Sequence, residues 1–224
     1  RVEEERTTAT FGRVMLKDAV HCRHTRVLYP HTPSEVGDFE VNVHCKNLGA
    51  AASEIMACRL ESIARDMGET LRRTALSVNV KERLDYSCGI VDSDGRLVVN
   101  APHQPVHLGA LGDCVRAVAA ELDLHPGDVA IVNHPGFGGS HLPDLTAVTP
   151  VFDSGGKCFA YAVNRAHHAE IGGIRPGSMP PDARHLGEEG VVIPPTYLYR
   201  RGEARFEALE VLLSHSTYPS RNPK

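Results

Sequence analysis

From Ser53 onward, Met56, Leu60, Ile63, Met67 and Leu71 recur every three or four residues, with polar and charged residues between them. That spacing puts one apolar stripe on a helix running to about Ala75, with Ser53 as its N-cap. Then the period changes. Residues 86–91 and 96–99 are short apolar runs on either side of Asp92-Ser93-Asp94-Gly95, whose Asp-Gly step suits a β-hairpin turn. Leu111, Val115, Val118 and Leu122 mark a second helix that ends before Pro126-Gly127, and residues 128–133 read as a buried strand. Residues 145–152 and 157–163 are two further strands, joined by the turn Asp153-Ser154-Gly155-Gly156. The succession helix, hairpin, helix, strand, hairpin predicts an α+β fold: helices packed on a mixed or antiparallel sheet, with long loops rich in Gly and Pro.

Residues 1–47 lack such periodicity and carry turn signals at Tyr29-Pro30-His31-Thr32-Pro33 and Gly37-Asp38, so they are expected to be an N-terminal extension or linker. The chain starts at Arg1 and ends on Ser220-Arg221-Asn222-Pro223-Lys224, and reads as a piece of something longer. Its 224 residues, 42% hydrophobic and 23% charged, are enough for a real core and exclude collagen-like, disordered and disulfide-stapled classes. A net charge of −4 and 5% aromatics without Trp give neither a basic field nor stacking platforms, so nucleic-acid binding is not expected. No apolar run approaches the roughly 20 residues of a membrane span, and the first residues are unlike a signal peptide. A soluble, cytoplasmic chain is the expectation. Its six cysteines show no close C-x-x-C pairing and are read as reduced thiols.

Candidate chemistry gathers in the loops. His141 and Asp144 stand three residues apart where a strand begins, after the run Gly136-Phe137-Gly138-Gly139-Ser140. Antiparallel pairing of the next two strands returns Arg165-Ala166-His167-His168 to the same end. The result is one His/Asp/His cluster suited to a divalent metal, Zn, Mn or Fe. Asp85, in the charged run Lys81-Glu82-Arg83-Leu84-Asp85, is placed to face that cleft as a ligand or as the base that activates water. His103 and His107 lie ahead of the second helix, whose N-terminal N–H groups suit an anion or a carbonyl oxygen. The run from Gly172 to Pro181 is a candidate lid, and its Arg175 a candidate clamp for a substrate carboxylate. Neither G-x-x-x-x-G-K-[ST] nor G-x-S-x-G occurs.

Five stretches occur together in one order: Asn79-Val80-Lys81-Glu82-Arg83-Leu84-Asp85-Tyr86-Ser87, Ala101-Pro102-His103 with Pro105-Val106-His107-Leu108-Gly109, Gly138-Gly139-Ser140-His141-Leu142-Pro143-Asp144, Arg165-Ala166-His167-His168, and the Gly172–Pro181 run. Together they resemble the hydantoinase B/5-oxoprolinase family, from about Ser53 to about Pro195. The resemblance implies ATP-dependent opening of a cyclic amide such as 5-oxoproline, a hydantoin or a lactam. It also implies a hydantoinase A-like partner, separate or fused, that uses ATP and Mg, while the B-like part holds a divalent metal. The implied ligands are His141, Asp144 and His167, with Asp85 close by and His168 as competitor; with the residue-level readings of His107 and Arg175, the catalytic candidates are Asp85, His107 and Arg175. Residues 48–224 then form the N-terminal portion of a longer catalytic domain, and an oligomer is expected.

Three departures accompany the resemblance. The family's B-like parts are considerably longer than this chain, and residues 1–47 do not resemble their start. The turn at 153–156 also looks one residue longer than the family's usual one. The other readings are a non-catalytic assembly module of such a complex and a subunit of a ketone carboxylase.

Overall fold

The computed structural model describes residues 50–101 and 104–221. The first helix, α1 (Ala50–Thr74), carries the expected stripe. It begins at Ala50, however, so Ser53 lies inside the helix and does not cap it; Ala50-Ala51-Ala52 are strong helix formers and carry the helix past the serine. A single short turn, α2 (Val78–Lys81), and Leu84 at φ 54° lead into the sheet. There β1 (Tyr86–Asp92) and β2 (Leu97–Asn100) form the expected hairpin.

Helix α3 (Pro105–Glu121) and strand β3 (Val129–Val132) follow, then the hairpin of β4 (Asp144–Phe152) and β5 (Cys158–His167). Strand β5 runs to His167, four residues past the apolar run that announced it. Its polar end is paired on both sides, with β1 and with β4, and the ladder carries it on. After the long loop, interrupted by α4 (Leu186–Glu189), come β6 (Thr196–Arg200), β7 (Glu203–Ala204) and α5 (Phe206–His215), none of which the periodicity announced.

The seven strands form one sheet in the order β2-β1-β5-β4-β3-β6-β7, and every neighbouring pair is antiparallel. Alternation along the strands sends successive side chains to opposite faces. On one face Tyr86, Cys88, Ile90, Ala160 and Ala162 pack against Ala64 and Met67 of α1, with Leu60, Ile63 and Leu71 at the margin. On the other face Val91, Val132, Val148 and Val163 meet Leu111, Cys114, Val115 and Val118 of α3. Full burial of each such Leu or Val stabilises the fold by about 1.5–3 kcal/mol. A third cluster, Ile131, Leu142, Ile171, Val191 and Ile193, seats the long loop on the β3 side of the sheet, against Leu209, Leu212 and Leu213 of α5. Among the described residues no helix is long and apolar enough to cross a membrane. The reading of residues 1–47, and His103, lie outside the described residues.

Candidate metal centre

The register of the central hairpin builds the site. Asp144, the first residue of β4, stands directly opposite His167, the last of β5. The Nδ1 of His167 lies 3.1 Å from Asp144 Oδ1. The loop before β4 folds His141 back so that its Nδ1 is 3.0 Å from Asp144 Oδ2. The two imidazole rings stand 4.9 Å apart, centroid to centroid. One ligand atom from each of His141, Asp144 and His167 lies within 4.8 Å of the others, a spacing that one ion can span. Asp144 and His167 are buried, whereas a quarter of the His141 side chain is exposed, so the cluster is open on one side.

Two further expected residues converge here. Asp85, just before β1, is partly exposed, with Oδ2 at 3.9 Å from His167 Nδ1, and its carbonyl accepts the His167 amide hydrogen. His107 is buried in the first turn of α3, and its Nε2 is 3.4 Å from Asp144 Oδ2. On its far side the Ser87 hydroxyl donates to the Gln104 carbonyl, 3.0 Å away. The same hydroxyl oxygen lies 3.1 Å from His107 Nδ1, so Ser87 holds the imidazole from behind while Nε2 faces the carboxylate. His107 thus faces the carboxylate from the helix side, not through the free N–H groups of the helix end.

Two expected residues are not brought to this point. His168 is absent from the three-residue ligand group; its backbone N–H donates to the Pro143 carbonyl and burial lowers its imidazole pKa. Arg175 is exposed on the long loop and donates to Asp182 Oδ2 at 2.5 Å.

Three hydroxyl groups complete the surroundings, and the sequence pattern assigns a role to none of them. Ser140 Oγ donates to Asp144 Oδ2 at 2.5 Å. Ser87 holds His107, and Ser178 Oγ lies 2.9 Å from His167 Nε2. Ser178 belongs to the Gly172–Pro181 run, so the candidate lid touches the site through it. A hydroxyl both donates and accepts, so Ser178 serves His167 whether Nδ1 carries the hydrogen or presents its lone pair. The one signal in the sequence was strand alternation: Ser87 shares the α3 face with Val91, four residues on.

Electrostatics follow the geometry. Burial pushes the Asp144 carboxyl upward, but hydrogen bonds from His107, His141, His167 and Ser140 outweigh it and hold the group well below the usual carboxylate range. The hydrogen bond to that carboxylate raises the His141 imidazole pKa against the effect of burial. A buried carboxylate ringed by imidazole nitrogens, with Asp85 as a second carboxylate on the open side, is a donor set that fits a divalent cation of the Zn, Mn or Fe type.

Known proteins share both the sequence and the fold. The family model described as hydantoinase B/oxoprolinase matches residues 50–224. The 5-oxoprolinase of Saccharomyces cerevisiae is 55% identical over 141 residues, 62% of this chain and 11% of the relative. Caprolactamase subunit beta of Pseudomonas jessenii is 33% identical over 158 residues, 70% of this chain and 27% of the subunit. Among solved structures, the ATP-dependent caprolactamase of Pseudomonas jessenii superposes with a TM-score of 0.59 at 27% identity, over 74% of this chain and 30% of that one. An acetone carboxylase shares the fold, with a TM-score of 0.66 at 18% identity over 74% of this chain and 22% of its own. The chain therefore spans between about a tenth and a third of the length of these relatives.

Proposed function

The chain belongs to the hydantoinase B/oxoprolinase family, and from that premise we propose that it is the metal-bearing part of an ATP-dependent enzyme that opens a cyclic amide, 5-oxoproline in the first instance. The observation that carries the proposal is the convergence of His141, Asp144 and His167 within 4.8 Å at the end of the central hairpin. Identity to 5-oxoprolinase over the described domain supports the substrate class. A hydantoinase A-like partner, separate or fused, would bind ATP. The name caprolactamase subunit beta, given to one relative, and the small share of the 5-oxoprolinases that this chain matches fit either arrangement.

In this reading His141, Asp144 and His167 hold the divalent cation, with Asp85 on its open side. A cation bound there supplies Lewis-acid polarisation of an amide carbonyl or of water. The protein's own groups do the rest. Asp85, partly in solvent and with no hydrogen-bond donor committed to its carboxylate among the described residues, is free to orient an attacking water and take its proton. His107 and Ser140 fix the Asp144 carboxylate so that it keeps one orientation throughout. Arg175 stays the candidate for a substrate carboxylate, and to serve it would exchange Asp182 for the substrate.

The test is elemental analysis of chelator-washed, metal-reconstituted protein beside His141→Ala and Asp144→Ala. About one divalent ion per chain, lost in both variants, is the expected result. Stoichiometric metal retained in a folded His141→Ala variant would remove the site assignment. With metal in place, addition of the ATP-binding partner, ATP and 5-oxoproline should yield glutamate.

A further inference from the structure

One buried charge near the site has no part in the chemistry above. Arg165 lies on β5 two residues before His167, on the same face, and is wholly buried. No described carboxylate is within ion-pair reach of it, and its Nη1 has no hydrogen-bond partner. A guanidinium buried without a carboxylate is expensive, so its surroundings must return something for it. Its remaining nitrogens are committed. Nε donates to Thr146 Oγ1 at 2.8 Å, and Nη2 donates to the Gly138 carbonyl at 2.6 Å. The Cys114 thiol beside it is kept neutral by burial and offers no countercharge.

Those two bonds join different parts of the site. Thr146 and Arg165 are direct partners in the β4–β5 ladder, one layer beneath the partners Asp144 and His167. Gly138 belongs to the loop that delivers Ser140 and His141 to the same layer. The guanidinium therefore ties the loop that carries one proposed ligand to the two strands that carry the others. A planar fork reaches the two acceptors from separate nitrogens, whereas an ammonium would have to reach both from one atom.

We propose that Arg165 is a positioning residue for the metal centre: it sets where His141 stands relative to Asp144 and His167. The proposal rests on the reading of those three residues as ligands, and goes beyond it by assigning a role to a residue that touches none of the reacting atoms.

The experiment is a Co²⁺ titration of the full-length protein against a competing chelator, with the d–d absorption bands recorded, for wild type, Arg165→Lys and Thr146→Val. Loss of a group that orients metal ligands typically weakens binding 10- to 100-fold. Arg165→Lys is expected to fall in that range with shifted bands, and Thr146→Val to show a smaller loss in the same direction. An Arg165 that only stabilises the core would lower the unfolding temperature and leave the affinity and bands of the folded protein unchanged; that result overturns the proposal. If Arg165→Lys does not fold, Thr146→Val decides: Co²⁺ affinity within twofold of wild type and unaltered bands overturn the proposal. A wild-type protein that takes up no Co²⁺ overturns the metal reading, and this proposal with it. A wild type that binds beside an unchanged Arg165→Lys overturns this proposal alone.

Discussion

Replacing Gly138 by alanine is expected to destabilise the protein by about 2–5 kcal/mol, combining about 1–2 for a left-handed backbone with about 1–3 for overpacking. Gly138 has φ 78°, a conformation that costs any L side chain. Its position adds a second cost, because a Cβ there would stand 2.5 Å from the Cys114 backbone nitrogen and 2.7 Å from its Cα. Those atoms belong to the middle of α3, which cannot yield without disturbing Val115 and Leu111 in the core. Gly156 separates the two effects. It has φ 80° in the β4–β5 turn and nothing within 4 Å of where a methyl would stand, so Gly156→Ala should cost only the conformational part, about 1–2 kcal/mol. Urea unfolding of both variants, extrapolated to water at a common slope, measures the two numbers. The loop pushed off α3 in Gly138→Ala also carries His141, so metal affinity should fall in that variant and stay at the wild-type value in Gly156→Ala. If Gly138→Ala costs no more than Gly156→Ala, the glycine loop is not seated on α3 as described.

Two other substitutions test neighbouring parts of the frame. Asn133 is fully buried, donating to the carbonyls of Leu142 and Val191 and accepting from the Ile193 amide, so Asn133→Ala strands three backbone groups and should cost about 3 kcal/mol or more; a loss under about 1 kcal/mol by urea unfolding would contradict that network. Burial raises the Glu170 pKa, but hydrogen bonds from Ser220, the Gly172 amide and Arg221 reverse this and leave it lowered. The clasp on the C-terminal segment is then fully present above the ordinary Glu value of about 4.3 and is lost as pH falls through the lower folded value. Amide exchange at Gly172 and Arg221 should accelerate below about pH 4 relative to intrinsic rates and show no such change in Glu170→Gln.

Much of the site was legible because the chemistry follows a strand register. The H-x-x-D of His141 and Asp144 at a strand start, with a hairpin returning His167, left few other arrangements, and the ladder places Asp144 opposite His167. The choice between His167 and His168 was not legible. It turns on where β5 stops, and the polar residues Arg165 and His167 give no apolar period to count. The hydroxyl partners Ser87, Ser140 and Ser178 were invisible for a related reason, since a serine's partner is decided by tertiary approach and not by local pattern. The elements from β6 to α5 escaped because β6 is half-exposed along most of its length, and α5 has no fully buried residue to mark a clear stripe.

The turn at residues 153–156 looked one residue longer than the family's usual one, and the fold explains why that leaves the site untouched. The turn closes the end of the β4–β5 ladder opposite to Asp144 and His167, with eight further paired positions between them. The register along those positions is fixed by burial of Val148 and Val163 on the α3 face, and a one-residue slip of either strand would turn its own valine to the wrong side. Inserting Gly-Gly between Gly155 and Gly156 should therefore cost little. Lengthening the closed loop adds about 0.4 kcal/mol of entropy. The bonds from the Gly155 and Lys157 amides to Asp153 Oδ1 add about 1 kcal/mol each where they are lost. Metal affinity of the insertion variant should match the wild type, while urea unfolding shows a loss of about 0.4–2.4 kcal/mol, according to whether neither or both of those bonds are lost. A tenfold or greater loss of metal affinity in the folded variant would mean that the turn, not the buried ladder, sets the distance between Asp144 and His167.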